Sequence, residues 1–408
     1  MLLAILNTLI GGLVLLVQGE ELRNATSGFT QSTSSGKLAQ CTSANVTIPI
    51  TTTNTKILLS EPNNQSVVSG LIQELVEVES SLVARVSGGQ SVFRGSYRIS
   101  LTLCYPARTK ATTQIVQVLT NGAGFDKSYW DIAPGFSYVD AAAQAGYATV
   151  AYDRLGVGDS EYPDALQTVQ CPADIEILHG IVRLLRTVGF ASQTFKWVIG
   201  VGHSYGSIVQ LAHNARYPRD VDASILTGFT SNLVDLPYTT MAFNPCIAKG
   251  NDPAKFGALS NGYLVHDTRI SIQLPYFRYP FYSSDSKLTT PQLNIIYEDF
   301  LIAFENVYAS KSTYSLGQLL TLPNILGPAP AFSGPVDIVV GQQDFPFCLG
   351  NCSFPRDQAA ATIPALYPAA NPRSTHYILP DSGHLINAHY SAPKAFAQMN
   401  EFLRLNGF

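Results

Sequence analysis

A serine between two glycines stands where the chain changes from a strand pattern to a helix pattern. Residues 197–201 are apolar and largely β-branched, the motif Gly-His-Ser-Tyr-Gly follows at 202–206, and an apolar pattern at helical spacing runs on to Ala212. A strand, a sharp turn and a helix form the context of a nucleophile elbow. Two glycines are needed because a Cβ in so tight a turn would meet the neighbouring elements. We therefore predict Ser204 as a nucleophile, rather than part of an ordinary glycine-rich turn.

A serine hydroxyl needs a general base, a carboxylate that orients the base, and donors for the developing oxyanion. Asp344 follows an apolar strand pattern at 336–340, and His384 follows the last strand pattern at 376–379. Open α/β sheets bind their ligands at the carboxyl ends of the strands, where both residues would lie. The chain order Ser204, Asp344, His384 is also the one expected for this architecture. We therefore predict these three residues as the catalytic ones.

Other histidines and one other aspartate are weaker candidates. His376 lies within the last strand and His389 in a helix-like stretch. His203 adjoins the nucleophile and is expected to pack or to line the pocket. Asp337 is the rival acid, but it lies inside a strand, so Asp344 is preferred.

Alternating strand and helix patterns are expected to position these residues. Apolar strand patterns recur at 115–119, 148–152, 197–201, 223–226, 336–340 and 376–379, and helical patterns lie near 137–145, 173–188, 205–216, 357–366 and 393–404. This alternation predicts an α/β fold with a mostly parallel central sheet and flanking helices. Alternating patterns at 46–50 and 97–104 predict antiparallel first strands, and 69–86 has a helical rhythm.

The alternation stops over residues 231–334, which we interpret as an inserted, mainly helical cap. Aromatic residues crowd this stretch, among them Tyr238, Phe243, Tyr263, Tyr276, Phe277, Tyr279, Phe281, Tyr282, Tyr297, Phe300, Phe304 and Tyr308. Most of them are expected to build the core of the cap, and some would line an apolar pocket. The core domain is then divided into residues 41–230 and 335–408.

With these motifs, the chain resembles the α/β-hydrolase superfamily, of the secreted fungal-like kind, over about residues 114–406. Besides the serine motif, the resemblance depends on Asn-Gly-Ala-Gly-Phe-Asp at 121–126 and Asp-Arg-Leu-Gly-Val-Gly-Asp-Ser at 153–160. It implies an oxyanion hole formed by the backbone N–H groups of Ala123 and Tyr205. Family members usually have His where this chain has Asn121. A serine nucleophile argues against the epoxide hydrolases and dehalogenases of the superfamily, which use aspartate.

In the second of these motifs, Asp153 and Arg154 are neighbours in sequence. We expect them to form a structural ion pair that holds a turn, rather than to take part in chemistry.

The N-terminus predicts export. Residues 1–19 form an apolar segment that resembles a secretory signal peptide, although no Lys or Arg precedes its apolar core. An uncleaved membrane anchor is the alternative. Residues 20–40 are rich in Ser, Thr, Gly and Asn and are expected to form a flexible leader. Four glycosylation sequons agree with secretion, at Asn24, Asn45, Asn64 and Asn351.

Six cysteines, an even number, also favour an oxidising compartment. Cys348 and Cys352 can close a small loop, Cys41 and Cys104 can join two N-terminal strands, and Cys171 with Cys246 follows by elimination. The alternative is reduced, buried thiols. The sequence has no Cys-x-x-Cys pair and no histidine cluster with metal-ligand spacing, so neither a metal nor an organic cofactor is expected.

Composition limits the partners. The chain is 46% hydrophobic and 13% charged, with a net charge of −4, so it predicts a globular protein that binds neither nucleic acid nor an anionic membrane. No stable membrane insertion is expected after signal cleavage.

The sequence therefore predicts a secreted serine hydrolase, such as an esterase, lipase or lactonase, that acts on a small apolar ester. One alternative is a peptidase of the proline iminopeptidase type, with Glu298, Asp299 or Glu305 binding a free amine. Another is a non-hydrolytic biosynthetic enzyme or a silent binding protein.

Overall fold

In the computed structural model, residues 27–107, 113–277 and 303–408 are described. Their main sheet has nine strands in the order β1-β2-β3-β5-β4-β6-β7-β11-β12, and a second sheet has the order β10-β9-β8. The strands are Ser27–Thr33 (β1), Ala39–Ile57 (β2), Ser87–Pro106 (β3), Ile115–Thr120 (β4), Ala148–Tyr152 (β5), Trp197–His203 (β6), Ala223–Thr227 (β7), Pro245–Ile247 (β8), Tyr263–His266 (β9), Tyr314–Ser315 (β10), Val336–Gly341 (β11) and Thr375–Leu379 (β12).

The main sheet is antiparallel at its beginning and parallel over the rest. β1, β2, β3 and β5 pair antiparallel in turn. From β5 onward every neighbouring pair is parallel, through β4, β6, β7, β11 and β12. Because parallel strands are joined by crossovers, their carboxyl ends meet at one edge of the sheet. The predicted strands on which the candidate residues depend all lie in this parallel part.

Helices cover both faces of the parallel strands. They are Gln65–Leu75 (α1), Leu82–Val86 (α2), Tyr138–Gln144 (α3), Cys171–Arg183 (α4), Tyr205–Arg216 (α5), Leu236–Phe243 (α6), Ala248–Asn251 (α7), Pro253–Phe256 (α8), Arg269–Tyr276 (α9), 303–309 (α10), Leu316–Thr321 (α11), Phe345–Cys348 (α12), Gln358–Leu366 (α13) and Ala392–Leu405 (α14). Single turns of other helix types occupy Lys127–Trp130, Leu184–Val188, Leu322–Ile325 and Ile386–Ala388.

Successive residues of β6 show the two covered faces. Val198 packs in one apolar cluster with Ile181 of α4 and Ile208 of α5, whereas Ile199 packs in the other with Phe396 of α14. Side chains of a strand alternate between faces, so a strand covered on both sides is apolar at nearly every position. The predicted α/β fold with a mostly parallel sheet and flanking helices is confirmed.

The stretch between β7 and β11 contains the second sheet as well as helices α6 to α11. Strands of two to four residues are too short to show a period, which is why the sequence indicated helices alone. Residues 278–302 lie outside the described residues, and Glu298 and Asp299 of the peptidase alternative lie among them. The limits 231–334 for a cap remain a prediction.

The expected flexible leader differs from the structure in its second half. Residues 27–33 form β1 on the edge of the sheet, and the following turn binds two carboxylates. The backbone of Ser35 donates to Asp131 at 3.0 Å, and that of Gly36 donates to Asp140 at 2.7 Å. Backbone pairing and polar contacts of this kind need no apolar periodicity, so the composition did not show them. Residues 1–26, with the predicted signal peptide, lie outside the described residues.

Two of the three cysteine pairings form. Cys41 bonds to Cys104 across β2 and β3, and Cys348 bonds to Cys352 just after Asp344. The pairing of Cys171 with Cys246 is wrong, because both are free thiols. Elimination assumed that every cysteine pairs, whereas Cys171 is buried at the start of α4 among polar neighbours.

Across the three described ranges, we find no helix that is both long enough and apolar enough for a membrane crossing.

Candidate active site

Ser204 occupies a strained turn between β6 and α5. Its φ of 55° and ψ of −121° lie where non-glycine residues are rare. A Cβ at Gly202 would come within 2.5 Å of the Gly206 carbonyl oxygen, and one at Gly206 would overlap the carbonyl of Thr120. Only glycine fits at both positions, so the close packing of β4, β6 and α5 fixes the turn. Strain of this kind is typical of a functional residue.

His384 and Asp344 lie together at the carboxyl ends of β12 and β11. His384 Nδ1 is 2.7 Å from Asp344 Oδ2, and both side chains are fully buried. Asp344 also begins α12, because its Oδ1 accepts a hydrogen bond from the Phe347 N–H at 2.9 Å. Two contacts therefore fix the carboxylate. It holds the imidazole through Nδ1 and leaves Nε2 available for another partner. That Nε2 is buried and has no hydrogen-bond partner within the described ranges.

The end of β7 connects the serine and the histidine. The Ser204 N–H donates to the Thr227 carbonyl at 2.9 Å. At the next residue, Gly228, a Cβ would lie 3.2 Å from Cε1 of His384. Ser204 and His384 therefore flank the same strand end, as the sequence predicts for strand-end residues.

A residue of the stretch between β7 and β11 also touches His384. The ring of Tyr276, in α9, stacks on the imidazole at a centroid distance of 5.3 Å and an interplanar angle of 16°. The Tyr276 carbonyl accepts a hydrogen bond from the N–H of Leu385 at 3.1 Å. Phe347 lies near the same imidazole at 5.8 Å. From the sequence Tyr276 is only one of many aromatics, because nothing in its neighbours shows which way it points.

The rival residues have other partners, although the His203 ring lies 5.0 Å from that of His384. His203 is buried against the ring of Tyr129 at 4.5 Å, and burial together with His384 lowers its pKa well below the usual value. Asp337 accepts a hydrogen bond from the hydroxyl of Thr375 at 2.7 Å, and burial raises its pKa to about 7.

The other two rival histidines, His376 and His389, also contact other residues. His376 is 3.7 Å from Asp357 and well exposed. His389 accepts a hydrogen bond from the backbone of Gly383 at 3.0 Å.

The loop after β4 lies against the serine. A Cβ at Gly122 would be 3.1 Å from the Ser204 Cβ, and Ala123 lines the cavity beside that serine. Asn121, which stands where the family usually has His, is fully buried and donates through its side chain to the Phe125 carbonyl. The amide therefore closes the turn locally, so the loop does not need a histidine for this purpose.

The expected ion pair between Asp153 and Arg154 does not form. Asp153 binds Lys127, with Nζ at 2.5 Å and the backbone N–H at 2.8 Å. Arg154 instead donates to the Gly122 carbonyl at 3.0 Å and lies 3.7 Å from Asp174. The two side chains have different partners, so adjacency in sequence was a poor guide.

An apolar cavity of about 80 Å³ opens beside Ser204. None of its described lining residues is charged, and most are apolar: Ala123, Ser204, Tyr205, Ile208, Leu236, Thr239, Thr240, Phe243, Pro245, Tyr314, Gln318, Leu319, Leu322, Pro346 and Phe347.

A separate cluster of possible metal ligands lies between α4 and α5. Asp220 Oδ2 is 2.5 Å from His179 Nδ1 and 3.1 Å from His213 Nε2. A histidine that binds a metal almost always anchors its other ring nitrogen, but Nδ1 of His213 is buried with no partner in the described chain. We therefore interpret the three residues as a hydrogen-bonded link between the helices. His179 is 41 residues from Asp220 in sequence, so spacing did not reveal the cluster.

Comparison with known proteins agrees with the fold. A family model described as the alpha/beta hydrolase family matches residues 117–399. The chain belongs to the alpha/beta hydrolase family. A search of curated proteins finds no match.

Solved structures of varied activity are similar to this chain at low identity. A thermophilic esterase from Thermogutta terrifontis is 14% identical, with 77% of this chain and 96% of the esterase covered and a TM-score of 0.47. An epoxide hydrolase from Vigna radiata is 14% identical, with 76% and 95% covered and a TM-score of 0.45. A bromoperoxidase from Bacillus anthracis is 15% identical, with 76% and 96% covered and a TM-score of 0.46.

Proposed function

We propose that this chain is a secreted serine hydrolase of small apolar esters. The observation that most supports this is the arrangement at one sheet edge: the strained Ser204, the buried pair of His384 and Asp344, and the uncharged cavity beside the serine. Membership of the alpha/beta hydrolase family supports hydrolysis of a small molecule. Fold alone does not define an activity, so the proposal depends on the site.

In the proposed mechanism, His384 Nε2 takes the proton of the Ser204 hydroxyl as its oxygen attacks the ester carbonyl carbon. Asp344 orients the imidazole and stabilises its protonated form. The N–H groups of Ala123 and Tyr205 bind the oxyanion of the tetrahedral intermediate. The intermediate collapses to an acyl-enzyme, and the alcohol leaves with the proton from His384. A water molecule then attacks the acyl carbon with the same base, which releases the acid and restores the serine.

The cavity favours esters over peptides with a free amine. A cationic amine needs a carboxylate partner when it leaves water, and none of the described lining residues is charged. Of the three acidic residues that the peptidase alternative offers, Glu305 is half exposed and pairs with Arg269 at 2.6 Å. Its charge is therefore already compensated by an arginine.

Secretion is supported by the two disulfides and by the exposure of three sequons. Disulfides persist mainly in oxidising compartments. Asn45, Asn64 and Asn351 are all exposed, so a glycan transferase could reach each of them without unfolding the sheet.

Substrate comparison tests the proposal. We expect kcat/KM for p-nitrophenyl acetate, butyrate and octanoate to exceed that for aminoacyl p-nitroanilides. The variant Ser204→Ala should lose about 10⁴-fold or more of the esterase activity. The control is Ser207→Ala, which removes a hydroxyl of α5 that donates to the Thr227 carbonyl. Its esterase activity is expected to stay within a few fold of the parent. Faster turnover of the anilides would refute the ester preference.

A further inference from the structure

Arg154 contacts Tyr205, one of the two proposed oxyanion donors, and Gly122, the residue before the other donor, Ala123. The side chain follows β5 and is fully buried. Its Nη2 donates to the carbonyl oxygen of Gly122 at 3.0 Å. The guanidinium carbon also lies 4.8 Å from the centre of the Tyr205 ring, within the range of a cation–π contact.

The contact with Gly122 acts on the Ala123 donor itself. The Gly122 carbonyl and the Ala123 N–H belong to one peptide unit, and in a planar trans peptide they point in opposite directions. A guanidinium that fixes the carbonyl therefore fixes the direction of the N–H. Withdrawing electron density from the carbonyl oxygen also makes the N–H of the same unit a stronger donor.

The buried carboxylate of Asp174 lies next to both Tyr205 and Arg154. Asp174 Oδ2 accepts hydrogen bonds from the Tyr205 hydroxyl at 2.7 Å and from the Gln318 amide at 2.6 Å. The same oxygen is 3.7 Å from Nη1 of Arg154. Gln318 lines the cavity. The pair of Arg154 and Asp174 therefore links the Gly122 loop, the residue after the nucleophile and the cavity wall.

A purely structural ion pair would need none of these contacts. Burying a guanidinium is costly, and replacing a buried ion pair by apolar residues is often neutral or stabilising. Nε and Nη1 of Arg154 form no hydrogen bond within the described chain, so the one strong hydrogen bond of this cation is the bond to Gly122.

We propose that Arg154, held by Asp174, is a positioning residue that orients the Gly122–Ala123 peptide for stabilisation of the oxyanion. This inference rests on the proposed function. It predicts a defect in the transition state and not in substrate binding, because the guanidinium does not line the cavity. Removing an oxyanion donor outright typically lowers kcat by about 10²–10³-fold, and misdirecting one should cost no more than the lower end of this range.

The test compares Arg154→Lys and Arg154→Met with the parent on a p-nitrophenyl ester, with competent sites counted by titration with a fluorophosphonate. We expect kcat per site to fall by about tenfold for Lys and by about 100-fold for Met, with KM within about threefold. The Ki of an aryl trifluoromethyl ketone, which forms a hemiketal oxyanion on the serine, should rise by the factor by which kcat/KM falls. Partial rescue by Lys is expected because an ammonium can still donate to the carbonyl.

Arg186→Lys is the matched control. Arg186 also donates to a backbone carbonyl, that of Asp220 at 2.9 Å, and pairs with Asp222 at 2.7 Å, away from the cavity. This variant should change stability without changing kcat per site. Asp174→Asn, which keeps the shape of the side chain, should reproduce the fall in kcat if Arg154→Met does not fold.

A kcat per site within twofold of the parent for Arg154→Lys, or for Asp174→Asn, would overturn the inference. So would a fall in kcat without a matching rise in the Ki of the ketone. These failures differ from failure of the proposed function, in which the parent protein itself would not react with the fluorophosphonate.

Discussion

At the scale of single residues, Asp344 has two separable tasks. One carboxylate oxygen orients His384, and the other caps α12. Asparagine keeps an oxygen for the cap, but its amide cannot stabilise a protonated imidazole. Asp344→Asn should therefore lower kcat by about 10³–10⁴-fold with little change in thermal stability, as measured by ester hydrolysis and by a circular dichroism melt. An unchanged kcat would remove Asp344 from the mechanism.

The rival acid gives a prediction about stability instead of activity. Burial raises the pKa of Asp337 from its ordinary value of 3.8 to about 7. The native state therefore retains a proton that the unfolded chain releases. The corresponding contribution to the free energy of unfolding is fully present below pH about 4 and is lost as the pH rises through about 7.

Asparagine at this position imitates the protonated acid at every pH. The free energy of unfolding of the parent, minus that of Asp337→Asn, should fall by up to about 1.4 kcal/mol per pH unit between pH about 4 and 7. Urea denaturation at pH 4.5 and pH 7 measures this difference. A difference that does not depend on pH would show that Asp337 is ionised in the native state throughout.

The positions of residues at strand ends could be predicted from the sequence, whereas contacts between distant segments could not. Ser204, Asp344 and His384 each follow a recognisable strand pattern. The contact of Arg154 with Gly122 joins two loops, and Tyr276 contacts His384 from the stretch between β7 and β11. Contacts between distant segments depend on packing that no local pattern describes.

At the scale of elements, the two disulfides should have different effects. Cys41–Cys104 closes a loop between residues 63 apart, whereas Cys348–Cys352 closes one between residues four apart. Loop-closure entropy gives about 4 kcal/mol for the first and about 2 kcal/mol for the second. The double variant Cys41→Ser, Cys104→Ser should therefore lower the free energy of unfolding more than Cys348→Ser, Cys352→Ser.

For kcat, the two double cysteine variants should rank in the opposite order. The short loop adjoins the candidate acid, since the N–H of Gly350 donates to the Asp344 carbonyl at 2.9 Å and the N–H of Cys352 donates to Gln342 at 3.0 Å. Removing Cys348–Cys352 should lower kcat several-fold, and removing Cys41–Cys104 should leave kcat of the folded enzyme unchanged. Equal kcat values for the two double variants would show that the loop holds its place without the disulfide.

Strands and helices with a long apolar pattern were predicted well. The edge strand β1 and the short strands β8, β9 and β10 were missed. The parallel strands and the helices that flank them agree with the sequence because burial on both faces requires apolar residues. β1 is held by edge pairing and carboxylates, and β8, β9 and β10 are too short to show a pattern.

At the scale of the whole molecule, the sequence predicts where the mature chain begins. Expression in a secreting eukaryotic host should give a protein whose first residue is Glu20, because cleavage is expected after residue 19. Treatment with an N-glycosidase should lower its mass, since Asn45, Asn64 and Asn351 are exposed sequons. N-terminal sequencing and intact mass measure both. A chain that still begins at Met1 in the membrane fraction would support the anchored alternative.

For the whole molecule, we propose that this hydrolase fold uses Ser204 as its nucleophile. The most direct measurement is labelling of the folded protein with a fluorophosphonate, followed by mass spectrometry of the labelled peptide. We predict a single covalent adduct on Ser204, and its formation should be slow in Asp344→Asn and absent in Ser204→Ala. A folded protein that stays unmodified, or that carries the adduct on another residue, would refute Ser204 as the nucleophile.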